Sequence, residues 1–264
     1  MGNDFIKKEK YSIGDLLEIM SLLRSENGCP WDREQTHLSI RKNFIEETYE
    51  AVEAIDCNDP EMLREELGDV LLQVVFHTQM EKENGNFDFD DICDGICQKL
   101  IIRHPHIFGE EELSSSNAVA NRWEEIKKET KGQKSGSETL IAVPKQLPAL
   151  MRCDKLLHRA EKAAGTKICS EKAFDMLDEN VFELRKAEKE NRDLIKEKMG
   201  ELLFSAVMAA RAIGLEPEEC LDASSEKFIR HFTEMEKIAK EQGKALSEME
   251  EEIFSQGKGQ KTNQ

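Results

Sequence analysis

Apolar residues recur every three to four positions along most of the chain, with polar residues between them. That spacing predicts amphipathic helices. Ser12 and Asp15 make a capping-box pattern at the head of DLLEIMSLLRSE, and Asn27-Gly28 stops it. CPWDREQ reads as a rigid loop, and Thr36 is placed to cap a second helix to about Ile55. Asp59-Pro60 opens a third helix, which Asn84-Gly85 ends after Glu83. A fourth is predicted from about Asp90 to Arg103, broken by His104-Pro105. A fifth runs from about Asn117 to Thr130. Helical spacing resumes over 148–164, 171–188, 191–213 and 217–242, with a short stretch near 245–254. No segment alternates as a strand, so the expected fold class is all-α.

KGQKSGSETLIAVPKQLP is the one long Gly/Ser/Pro/Lys segment, which places a linker at 131–147 between units at 12–130 and 148–254. The polar tail, 255–264, reads as disordered. The halves share a degenerate order. EELGDVLLQVVF is similar to KEKMGELLFSAV, IEETYEAVEAI to DENVFELRKAE, and KLIIRHPHIF to KFIRHFTEME. A duplicated helical unit accounts for that order.

Acidic residues interrupt the pattern where a core is due. FIEETYEAVEAI carries Glu46, Glu47 and Glu50 within two turns, and EELGDVLLQVVF runs Glu66 and Asp69 into an apolar segment. Residues three apart on a helix are neighbours, so Glu47 projects with Glu50 and Glu66 with Asp69; like charges there repel. The segment after Asp69 is apolar nearly all round and is expected to be buried. A buried carboxylate must be protonated, paired or metal-bound. Four carboxylates cannot neutralise one another, and all-oxygen ligation selects Mg²⁺ or Mn²⁺. The competing reading is a solvated face with Lys and Arg partners. Gly68, between Glu66 and Asp69, weakens the helix and is read as permitting a close approach. A di-iron bundle would need Glu-x-x-His on two helices; Glu34 to His37 is the one match.

Charge and cysteine content narrow the partners. Net charge is -17 over 264 residues, which argues against nucleic acid and anionic membranes. A small anionic substrate would need a local cation. Seven scattered Cys without CxxC spacing read as reduced thiols. MGNDFIKKEK lacks an apolar signal core and no run reaches membrane-spanning length, so a cytoplasmic location is expected.

In order, CPWDREQT, EETYE, ELGDVLLQVVFH, FDFDDIC, KLIIRHPHIFG, RWEEIK and LPALMRCDKL resemble the MazG family of nucleoside triphosphate pyrophosphohydrolases. The likeness covers roughly 12 to 254. It implies tandem all-α MazG units, a four-helix bundle completed by homodimerisation, and Mg²⁺-dependent conversion of NTP and water to NMP and diphosphate. A housekeeping role in the nucleotide pool follows. The family's metal ligands map onto Glu47, Glu50, Glu66 and Asp69, its phosphate-binding cations onto Lys99 and Arg103, and its base-proximal Trp onto Trp123. Phosphoryl transfer needs positioning and charge neutralisation, by one metal or two. Glu46, offset about 100° round the helix from the ligands, is the candidate for orienting the water. His104 and His106 flank a Pro break and read as capping or packing groups.

The second unit departs from this pattern. Its matching positions are Glu179, Asn180, Glu183, Lys198 and Glu201, so one ligand loses its charge and another becomes a cation. A one-residue slip would place Glu197 there instead. Lys227 and Arg230 remain as a phosphate pair, and only Phe254 matches the aromatic near the C-terminus. The expectation is a catalytic first unit and a structural, regulatory or nearly inactive second one. The alternative for the whole chain is a non-enzymatic helical scaffold or regulator with remnant carboxylates.

Overall fold

Capping chemistry sets the helix starts in this computed structural model, which describes residues 5–130, 132, 135–188, 190–249 and 254. Asp15 accepts the Ser12 backbone N–H and hydroxyl at 2.8 Å each, and Lys8 pairs with it, opening α1 (Ile13–Arg24). CPWDREQ is not a loop throughout. Pro30, with its fixed φ, starts the short helix α2 (Pro30–Glu34). Arg24 holds its end by donating to the Asp32 and Gln35 carbonyls at 2.5 and 3.3 Å. Residues 36–40 form a turn in which Ser39 Oγ accepts the Thr36 N–H, so α3 (Arg41–Asp56) starts later than Thr36.

A three-residue connection joins α3 to α4 (Pro60–Glu83), and the two helices pack along each other as an antiparallel hairpin. Asn58 makes the turn with φ 52, a left-handed conformation that Asn tolerates. Asp59 then caps α4 by accepting from the Glu61 and Met62 N–H groups. α5 (Phe89–Arg103) opens on an Asp88/Asp91 capping box, and α6 (Pro105–Phe108) follows its break. α7 spans Ser116–Thr130.

The chain divides into two compact units, Met1–Ile126 and Lys127–Gln264. In the first, Met20, Ile40, Val75, Phe76 and Met80 form the core, joined by Leu16, Leu17, Leu72 and Phe89. The core therefore gathers round the C-terminal half of α4. The N-terminal half differs from the sequence expectation of full burial. Leu71, in the segment expected to be buried, is 37% exposed, and Leu67 just before Asp69 is 53% exposed; the described residues leave that apolar face uncovered. A Cβ at Gly68 would meet nothing within 4 Å, so the described residues do not make the close approach read there.

In the second unit, α8 (Gly136–Ile141) lies within the segment read as linker and packs on α9 (Ala149–Ala164). α10 (Ser170–Ala187) lies along α11 (Arg192–Ala212), and α12 (Pro217–Gln242) crosses α9. Leu157, Ala173, Val207, Met208 and Ala209 make the core. Arg211 donates to Asp154 and Glu161 at 2.8 and 2.7 Å, tying α11 to α9. A 3-10 turn, Leu246–Met249, follows α12. The expected tail, 255–264, lies outside the described residues. Among the described residues there is no strand, and no helix is long and apolar enough to cross a membrane.

Candidate metal centre

The α3–α4 hairpin brings the acids together. Glu47 projects from α3, and Glu66 and Asp69 project from successive turns of α4. Each offers a carboxylate oxygen within 4.8 Å of the other two. Among the described residues this is the one group of three or more His, Cys, Asp or Glu so arranged. Desolvation, then the Asp69 and Glu50 charges, raises the Glu47 pKa. Desolvation, then the Glu50 and Asp69 charges, raises that of Glu66. Glu50 thus stands at the edge. It hydrogen-bonds Glu47 and repels Glu66, but it lies outside the three-oxygen group.

None of the three has a basic side chain paired to it among the described residues. Partial protonation or a counter-charge relieves three half-buried carboxylates at this separation, and hard oxygen donors suit a hard divalent cation. The donor set therefore fits Mg²⁺ or Mn²⁺.

Glu46 lies elsewhere. Its carboxylate pairs with Lys42 one turn earlier at 2.8 Å and is half exposed. Lys99 is exposed on α5. Arg103 stacks over Trp123 with its guanidinium carbon 5.2 Å from the ring centroid. The His104 ring meets the same indole edge-on at 4.8 Å, and His104 Nδ1 lies 2.7 Å from the Leu100 carbonyl. So α5 and α7 bring Arg103, His104 and Trp123 into one cluster. His104 acts as a packing and capping group, as its position beside Pro105 predicts. Glu34 and His37 form no metal group; His37 instead contacts His77 Nδ1 at 2.7 Å and Glu81 at 2.6 Å.

The second unit has a different charge balance at the matching positions. Lys198 donates to Glu201 at 2.9 Å, and its pKa is raised by that hydrogen bond and by the Glu201, Glu197 and Glu183 charges. Asn180 Nδ2 donates to the Glu201 carbonyl at 3.2 Å, and Lys186 pairs with Glu183 at 2.8 Å. Glu179, Lys227 and Arg230 are exposed. Phe254 stacks near Phe228, with centroids 6.3 Å apart.

One buried residue near the acids was missed by the sequence reading. Gln73 lies a turn beyond Asp69 and is 7% exposed. Its signal was a single polar residue inside VLLQVVF.

Comparison with known proteins decides the family. The chain is 42% identical over 259 residues to a nucleoside triphosphate pyrophosphohydrolase of Escherichia coli, covering 94% of this chain and 97% of that one. The MazG nucleotide pyrophosphohydrolase domain matches residues 35–108. The chain belongs to the MazG family. A MazG relative from Thermotoga maritima, named a nucleoside triphosphate pyrophosphohydrolase/pyrophosphatase, is 39% identical over 89% of both chains. An uncharacterised Bacillus subtilis protein is 41% identical over 92% of this chain and 51% of its own length. The MazG match spans α3 to α6 and so contains Glu47, Glu50, Glu66, Asp69, Lys99 and Arg103. Trp123 lies beyond its end.

Proposed function

We propose that the first unit is a Mg²⁺-dependent nucleoside triphosphate pyrophosphohydrolase, with Mn²⁺ able to substitute, and that it clears nucleotides from the pool. The observation that carries this is the convergence of Glu47, Glu66 and Asp69 without a basic partner, in a chain of this family. Those three residues would hold the divalent cation, with Glu50 completing the set from the edge. When bound, the cation supplies charge neutralisation at the phosphates and a more acidic water.

The reaction joins a water oxygen to the α-phosphorus and breaks the α–β anhydride bond. Diphosphate leaves with the bridging oxygen, and one water proton passes to a carboxylate. Lys99 and Arg103, one turn apart on α5, suit the negative triphosphate, and the Arg fork suits two oxygens at once. Trp123 offers a flat ring for the base, with Arg103 and His104 setting its orientation. Glu46 serves as the water-orienting residue after exchanging Lys42 for solvent; exposed pairs of that kind contribute little.

The second unit is the scaffold or regulator. Lys198 supplies the charge that a metal supplies in the first. The paired hairpins α3–α4 and α10–α11 support a tandem duplication. The open apolar face of α3, α4 and α5, including Tyr49, Leu67, Leu71, Leu100 and Ile101, supports homodimerisation. The test is mass-resolved product from an NTP panel with and without Mg²⁺. Wild type should yield NMP and diphosphate only with Mg²⁺, and Glu66→Gln should yield neither. Equal turnover by both proteins would refute the assignment.

A further inference from the structure

Gln73 is 7% exposed, and its Oε1 is buried without a hydrogen-bond partner. Two contacts bracket its place on the hairpin. Glu47 meets Glu66 and Asp69 on one side of it, and the Phe44 and His77 rings meet at 5.9 Å on the other. Glu66, Asp69 and Gln73 follow at intervals of three and four, so they share one stripe of α4. Helix side chains lean toward the N-terminus, which for Gln73 is the direction of Asp69. The Gln73 side chain therefore leans toward the carboxylate group, and its oxygen has no partner among the described residues.

Ionised carboxylates are acceptors only and give Oε1 no proton. A buried carbonyl left unpaired is disfavoured, and an apolar side chain of similar length would fill the space without that cost. The donor such surroundings admit is water. We propose that Gln73 is a positioning residue for the reacting water. Its Oε1 accepts one hydrogen of the water ordered by the carboxylate group, which turns the oxygen lone pair toward the α-phosphorus. This rests on the pyrophosphohydrolase reading of the site. The water oxygen gains the bond to phosphorus, the α–β bridge oxygen leaves, and the proton goes to a carboxylate; Gln73 exchanges no proton.

Full-length wild type, Gln73→Met and Gln73→Glu test the proposal, with Mn²⁺ as the probe. Methionine matches the length but offers no comparable acceptor. It should lower kcat about tenfold to a hundredfold, the scale of a misplaced reacting group, with KM for NTP and Mn²⁺ affinity unchanged. Water-proton relaxation by bound Mn²⁺ should change, and Tm should not fall. Glutamate keeps an oxygen at that place and should recover most of the methionine variant's loss, with a displaced pH profile. A methionine variant with wild-type kcat and relaxation would overturn the proposal, as would a glutamate variant equally slow. If the methionine variant does not fold, the glutamate variant decides against wild type: a kcat near wild type with a displaced pH profile supports the proposal, and a fall as large as that expected of methionine overturns it. Wild type that binds Mn²⁺ but forms no NMP would overturn the functional reading, and this inference with it. Loss of the rate effect in an active wild-type background overturns the inference alone.

Discussion

Burial and neighbouring negative charge hold the Glu47 and Glu66 carboxyls above their ordinary range. The metal-free folded state therefore binds more protons than the unfolded chain at these positions. Stability then falls as pH rises from the unfolded carboxylate value through the raised folded one, and stays reduced above it. Glu66→Gln should accordingly raise Tm at pH 7 in metal-free buffer. That gain should vanish below about pH 4.5, where the unfolded group also protonates. Adding Mg²⁺ should reverse the order, since only wild type regains a full ligand set; scanning calorimetry across pH reads both effects. The positions of Glu47, Glu66 and Asp69 were legible because i, i+3 spacing and a short hairpin fix faces. The Lys42 pairing of Glu46 and the edge position of Glu50 were not. They depend on rotamers, and a helical repeat does not specify rotamers.

Helices α1 to α4 show where local signals suffice and where they do not. Asp59-Pro60 announced the start of α4, because a cap is satisfied within four residues; the Asp88 cap of α5 was not read, and that helix was expected from about Asp90. Asp59→Ala should destabilise the first unit by about 1 kcal/mol in urea titration. The helix at Pro30–Glu34 was read as loop because its holding group is distant. Arg24 spans α1, α2 and α4, donating to Asp32 and Gln35 carbonyls and to Glu83 at 2.8 Å, with its guanidinium 5.4 Å from the Phe76 ring centroid. Arg24→Met should cost about 1.5–3 kcal/mol, the range for a hydrogen bond to a charged group. Its unfolding midpoint in urea should fall without a change in the second unit's core.

At the scale of the whole molecule, the all-α class followed from periodicity, whereas the two-part reading rested on a Gly/Ser/Pro/Lys segment and a degenerate repeat. The boundary and the helix inside the supposed linker were not legible, since Ser135 and Glu138 form a capping box within a stretch dominated by turn formers. If the open face of α3 and α4 pairs with a second copy, Leu71→Glu should shift the sedimentation-equilibrium mass toward the monomer. Restoring acids in the second unit, Asn180→Glu with Lys198→Glu, should create a second class of Mn²⁺ site by electron paramagnetic resonance. In the natural chain Lys198 carries its ammonium on a covalent tether. If the first hairpin holds Mg²⁺ as proposed, a chelator would strip it of its counter-ion, but it has nothing to take from Lys198 in the second. One half of the chain would then register magnesium scarcity, and the other would be indifferent to it.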